Sequence, residues 1–203
     1  MLIGIQNFNI KERLFMTRDV NPMSGSCKYS DLIATELRNY FGKFDSVIEL
    51  GCGRGGNLTK YPEVKTIVGI DPNPINIKKA QKAVKNGQII LGDHTLLTKY
   101  DTNQFDVGYT CSVLDHMENF VSALHELCRI CKNVMLLEPT IIGPSRQAKK
   151  SETNCWKISW YHDYAAWLKM KCLDFKSLYY PMYNTDSGKL FYQFIIYSEK
   201  YIG

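Results

Sequence analysis

Four glycines fall within six residues at Gly51-Cys52-Gly53-Arg54-Gly55-Gly56, directly after the apolar run Val47-Ile48-Glu49-Leu50. Glycine at such density lets a chain turn sharply and lets a ligand touch backbone N–H groups that a Cβ would shield. Carboxylates surround the turn. Glu49 stands two residues ahead of Gly51. Asp71 closes the next apolar run, Thr66-Ile67-Val68-Gly69-Ile70, at about the distance downstream where an acidic residue meets a ribose diol. Asp93, with His94 behind it, follows a third run, Gln88-Ile89-Ile90-Leu91. Acceptors at successive strand ends, grouped around a bare backbone turn, are the chemistry of holding a nucleoside at the edge of a parallel sheet.

Those groups need elements to carry them. Val47–Leu50, Thr66–Ile70, Gln88–Leu91, Phe105–Thr110 and Val134–Glu138 read as buried strands. Helical segments alternate with them. Ser30 caps a helix to about Phe41, with Ile33, Leu37, Tyr40 and Phe41 on one face and Gly42 at its end. A short helix Asn57–Tyr61 is stopped by Pro62, and Asn73-Pro74 opens one running to about Lys85. Further helices are expected from Asn119 to Cys131 and from His162 to Lys171. Phe175–Tyr180 and Leu190–Ser198, joined through Asn184–Gly188, read as a hairpin. Alternation of this kind predicts an α/β fold, a sheet layer between two helical layers.

The 203 residues, 45% hydrophobic, suffice for one buried core, so residues 1–203 are read as a single domain. Residues 1–28 form an N-terminal extension that could serve as a lid, and 139–158 a long loop near the substrate side. The net charge of +5 is spread through the chain and falls short of the basic stripe of a dedicated nucleic-acid binder. No apolar run approaches membrane-spanning length. Seven cysteines at irregular spacing favour a reduced, cytoplasmic setting over a disulfide framework. Cys128 and Cys131, with His125 before them, lack a second pair at ligand spacing, so buried thiols are expected and no metal site.

The turn has two rival owners. Gly51-x-Gly53-x-x-Gly56 matches a dinucleotide fingerprint, in which a helix N-terminus faces a pyrophosphate. Glu49-x-Gly51-x-Gly53-x-Gly55 resembles the first motif of class I S-adenosylmethionine-dependent methyltransferases. Glu49 would repel a pyrophosphate and suits the cationic methionine end of S-adenosylmethionine. Asp71 and Asp93 stand where that family contacts the ribose and the adenine, and Phe105 to Met117 is similar to its fourth motif. With the terminal hairpin, the resemblance covers roughly residues 30–200.

The resemblance implies a three-layer Rossmann-like fold with a seven-stranded, mainly parallel sheet and S-adenosylmethionine as cofactor, released as S-adenosylhomocysteine. It implies that Glu49, Gly51, Gly53, Gly55, Asn57, Asp71, Pro72, Asp93, His94, Cys111 and Ser112 bind that cofactor. Methyl transfer asks mainly for alignment, because the sulfonium already activates the methyl group. A general base is needed only for an acceptor that holds a proton tightly. His116 is the best-placed candidate, with a loop-orienting role of equal standing; His162 and Glu138 follow. Tyr161 and Trp156 are candidates for a substrate wall, and Arg146, Lys149 and Lys150 for meeting an anionic acceptor.

The stretch after Phe105 lacks the Asn/Asp-Pro-Pro-aromatic turn of the family's amino-methylating nucleic-acid enzymes and the Pro-Cys pair of its cytosine enzymes. A small-molecule, glycan or lipid-type acceptor is therefore favoured. RNA methylation and a non-catalytic S-adenosylmethionine-binding module are the alternatives.

Overall fold

The computed structural model describes residues 30–147, 160–171, 175–181 and 191–198. Five strands, β1 (Ser46–Leu50), β2 (Thr66–Asp71), β3 (Gly87–Leu91), β4 (Phe105–Cys111) and β5 (Cys131–Thr140), pair in parallel in the order β3-β2-β1-β4-β5. The chain order reverses between β1 and β4, and that switch point opens a crevice at the carboxyl ends of the strands. The glycine turn leaves β1 there.

Neighbouring strand residues point to opposite faces, and here both faces are apolar. Val47, Val107, Tyr109 and Leu137 join one core with Ile33 and Leu37 of α1 (Ser30–Phe41) and Ile77 and Ala80 of α2 (Pro74–Ala83). Ile48, Leu50, Ile70 and Leu136 join the other with Leu124 and Leu127 of α3 (Val121–Ile130) and Tyr164 and Leu168 of α4 (Tyr164–Met170). The result is helix on sheet on helix. Truncating a fully buried side chain such as Ile48 or Leu127 costs on the order of 2–5 kcal/mol.

Beyond β5 the sheet turns antiparallel. β9 (Phe191–Ser198) pairs with β5 and β8 (Phe175–Pro181) with β9, as the hairpin signal predicts. A small separate ribbon pairs β6 (Arg146–Gln147) with β7 (Trp160–Tyr161).

Several expected boundaries move. Ser30 is the first helical residue of α1, and its hydroxyl reaches across to Asn57. The helix expected at Asn57–Tyr61 is a single 3₁₀ turn, Leu58–Lys60. α2 ends at Ala83, two residues early, behind an Asn73 side chain that accepts from the N–H groups of Ile75 and Asn76. α3 runs straight into β5 with no loop, so His125 and Cys128 are helical while Cys131 opens the strand. His162 does not open a helix. It bridges Thr140, and Asp163 caps α4 by accepting from Ala166 N. The extension 1–28, Lys149, Lys150, Trp156 and the hairpin loop Asn184–Gly188 lie outside the described residues.

Candidate functional site

Gly51, Gly53 and Gly55 take φ values of 72°, 53° and 80°, the left-handed region that favours glycine. Space enforces the choice at two of them. A Cβ on Gly51 would lie 2.2 Å from Val113 Cγ2, and one on Gly55 would lie 3.2 Å from the Ala80 backbone. At Gly53 a Cβ would meet nothing within 4 Å, so this side of the turn is open.

Asp71 ties the turn to the start of α2. Its Oδ2 accepts from Gly53 N at 2.9 Å, and its Oδ1 accepts from Asn73 N at 2.9 Å and Asn76 Nδ2 at 3.2 Å. A carboxylate offers about four lone-pair sites, so these bonds leave capacity for a ligand hydroxyl. Beneath the turn, Glu49 is buried and accepts from Asn57 Nδ2, while Ser30 Oγ donates to Asn57 Oδ1 at 2.7 Å. The run Ser30–Asn57–Glu49 thus links α1, the turn and β1. Burial, reinforced by Glu49 and Asp71, pushes the Cys52 thiol up and leaves it inert.

At the end of β3, Asp93 Oδ1 accepts from both N and Oγ1 of Thr95, at 2.9 and 2.6 Å. These bonds hold its carboxyl below the ordinary range. His94 Nε2 lies 3.2 Å from Ser122 Oγ. Asp93 and His94 therefore begin the 3₁₀ turn His94–Lys99 beside the crevice.

The other half of the crevice is built from β4 and β5. Cys111 ends β4, and Ser112 follows at φ 53°, a left-handed non-glycine residue whose N–H donates to Leu137 O at 2.9 Å. From β5, the fully buried Glu138 reaches under this loop. Its Oε2 accepts from Val113 N at 3.0 Å, Leu114 N at 3.1 Å and Asp115 N at 3.4 Å. Glu138 thereby satisfies the orphan donors that start the 3₁₀ turn Leu114–His116. Through Val113, that loop abuts Gly51.

Asp115 is buried beside Glu138, and its Oδ1 has no hydrogen-bond partner. Burial first, then their mutual repulsion, raises the Glu138 carboxyl to about 8; burial raises Asp115 as well. The Tyr164 phenol, buried and without a hydrogen-bond partner, feels both acids. His116 is exposed, its Nδ1 4.0 Å from Asp115 Oδ2.

His162 is fully buried. Its Nε2 lies 2.7 Å from Met117 O, which can only accept, so Nε2 carries the proton and Nδ1 accepts from Ser145 Oγ at 2.9 Å. Phe120 packs on the ring at 4.6 Å and Trp160 stacks at 6.5 Å. Burial lowers its pKa. Both ring nitrogens are engaged, which suits orienting Met117 at the loop's end better than taking a proton. Tyr161 is also buried, with the Arg146 guanidinium 5.1 Å above its ring.

The glycines, Glu49, Asn57, Asp71, Cys111 and Ser112 thus converge on the switch point, with Asp93 and His94 at its β3 side. The acid pair Asp115–Glu138 is a feature the sequence does not reveal: there Glu138 reads only as a candidate base and Asp115 carries no role. Its one visible signal is a charged residue ending an apolar strand. Glu49, Asp71, Asp115 and Glu138 are all buried in a chain of net charge +5, so the crevice is acidic where the chain as a whole is basic.

Known proteins resemble this chain in sequence and in fold. The sequence profile described as "Methyltransferase domain" matches residues 48–134. An uncharacterized methyltransferase of Schizosaccharomyces pombe is 28% identical over 113 residues, a match spanning 49% of this chain and 40% of that protein. The chain thus matches less than half the length of that relative. Among solved structures, geranyl diphosphate C-methyltransferase from Streptomyces coelicolor A3(2), crystallized with S-adenosyl-L-homocysteine, superimposes with a TM-score of 0.65 at 12% identity, over 83% of this chain and 77% of that one. The 1,6-didemethyltoxoflavin-N1-methyltransferase of Burkholderia thailandensis, with S-adenosylhomocysteine bound, gives 0.59 at 14% identity, over 83% and 76%. At these identities the structural likeness is one of fold.

Proposed function

Starting from a chain that belongs to the class I S-adenosylmethionine-dependent methyltransferases, we propose an enzyme that moves a methyl group from S-adenosylmethionine to a small-molecule, glycan or lipid-type acceptor. The order β3-β2-β1-β4-β5-β9-β8 is read as the seven-stranded sheet of that class, in one domain. The observation that carries the proposal is the Asp71 carboxylate bonded to Gly53 N beside three left-handed glycines. Such a cradle lets a ligand approach the bare backbone closely and keeps an acceptor ready for ribose hydroxyls. Acidity at the crevice suits a cofactor with a sulfonium and an ammonium group.

Bound there, S-adenosylmethionine would supply an electrophilic methyl group on a positively charged sulfur. The chain's own residues hold and orient. Asp71 and Pro72 would hold the ribose, Asp93 and His94 the adenine, and Cys111 and Ser112 would contact the cofactor from the end of β4. Glu49 and Asn57 support the turn from beneath. His116 would accept the acceptor's proton where one must leave. His162 positions the loop through Met117, and Tyr161 stiffens the ribbon on the substrate side.

Incubation with methyl-labelled S-adenosylmethionine and a fractionated cell extract tests the reading. Label in small-molecule, glycan or lipid fractions supports it. Label in RNA would replace the acceptor class. Binding of S-adenosylmethionine with no S-adenosylhomocysteine formed from any fraction would leave a binding module.

A further inference from the structure

Glu138 in β5 and Asp115 in the 3₁₀ turn after β4 are two buried acids within one another's field, the Asp115 N–H donating to Glu138 Oε2 at 3.4 Å. Such a pair cannot hold two full charges cheaply, and in the neutral range it holds one proton between its members. The hydrogen bonds decide which member has it. Around Glu138 the described partners are donors: the N–H groups of Val113, Leu114 and Asp115. All three converge on Oε2, and Val113 N also reaches Oε1 at 3.1 Å, a set of donors that favours the charged form of Glu138. Around Asp115 the situation is opposite, since Oδ1 meets no donor and loses nothing by carrying hydrogen. The other titratable groups facing the pair are His116 on the same loop and the Tyr164 phenol from α4. His162 sits behind Met117 with its own nitrogens engaged.

We propose that Glu138 is the positioning residue of the β4–α3 loop, kept as a carboxylate by the donors around it, and that Asp115 is its neutral partner, carrying the proton the pair shares. The loop so held presses Val113 against Gly51. The state of the acid pair therefore reaches the glycine turn without either acid touching a ligand. Raising the pH removes the Asp115 proton, sets two charges against one another and loosens the loop. This rests on the methyltransferase reading only where binding of the cofactor product is the readout.

The two amide variants separate the roles. Asp115→Asn mimics a neutral acid and should leave S-adenosylhomocysteine affinity at pH 7 within twofold of wild type. It should also abolish the loss of affinity on going to pH 9. Glu138→Gln turns an amide NH2 toward backbone donors and should weaken binding at least tenfold. A silent Glu138→Gln with a damaging Asp115→Asn, or two silent variants, would overturn the proposal. A second measurement needs neither variant nor ligand. In the wild-type chain, hydrogen exchange at the Val113, Leu114 and Asp115 amides, corrected for intrinsic rate, should lose protection between pH 7 and 9 ahead of the β1 amides. Uniform protection would refute the proposal even if S-adenosylhomocysteine does not bind. Failure of wild type to bind it, with the exchange result intact, would instead count against the methyltransferase reading.

Discussion

The two halves of the crevice are built on opposite plans. On the β1–β2 side both acids are tied to their surroundings by hydrogen bonds: Asp71 to Gly53, Asn73 and Asn76, and Glu49 to Asn57, itself held by Ser30. On the β4–β5 side two acids are buried together, one with an oxygen that bonds to nothing, below a phenol that also lacks a partner. A cradle completed by its own hydrogen bonds is set before any ligand arrives. A half that buries surplus acidity remains responsive to protons. The contrast assigns fixed recognition to the first half and adjustable positioning to the second.

The hardest blow to the fixed half is Gly51→Ala. A Cβ there collides with Val113, and φ of 72° strains any other residue. Overpacking and left-handed strain together should cost about 3 kcal/mol, read as a fall in the denaturant midpoint, with cofactor affinity lost as well. Asn57→Ala should come next. It leaves a buried Glu49 oxygen and the Ser30 hydroxyl without that partner, for roughly 1–3 kcal/mol. Chemical denaturation checks it, and a change below about 0.5 kcal/mol would remove Asn57 as a keystone.

The adjustable half should show in stability against pH. A buried acid whose pKa is raised in the fold stabilises fully below its unfolded value near 4. That contribution is lost as pH rises through the folded value, here about 8 for the proton shared by the Glu138–Asp115 pair. His162 works from the other side. Its folded pKa is lowered, so stability falls as pH drops through its unfolded value near 6.5. Melting temperature should therefore crest in the mildly acidic to neutral range, with the alkaline limb flattened by Asp115→Asn and the acid limb by a neutral replacement of His162. An unaltered alkaline limb in Asp115→Asn would erase the distinction between the halves. The smallest change is expected at Gly53→Ala, where open space leaves only the backbone penalty, about 1 kcal/mol. A methyl on that open side should still hinder the cofactor, so affinity should fall by more than stability does.

How much of this was legible in the chain follows the same division. The β1–β2 half is local. Glycine identity encodes left-handed φ, and Asp71 lies directly after its own apolar run, so strand, turn and carboxylate can be read in order. The clamp at Glu138 is not local, because its partners Val113, Leu114 and Asp115 precede it by 23 to 25 residues. Nothing near Glu138 announces them. His162 misled for a related reason. Asp163 supplies the true helix cap, while the bridge to Thr140 and the bond to Met117 come from distant chain. The α3–β5 junction escaped notice because Ile130 and Cys131 adjoin with no glycine or proline between them.

The central claim is that the Asp71-anchored glycine turn holds S-adenosylmethionine. Isothermal titration of wild type and Asp71→Ala with S-adenosylhomocysteine, and with NAD as the rival, tests it most directly. Wild type should bind S-adenosylhomocysteine and not NAD, and the folded Asp71→Ala variant should lose roughly 1–3 kcal/mol of that affinity. NAD binding without S-adenosylhomocysteine binding, or a folded Asp71→Ala variant with unchanged affinity, would contradict it.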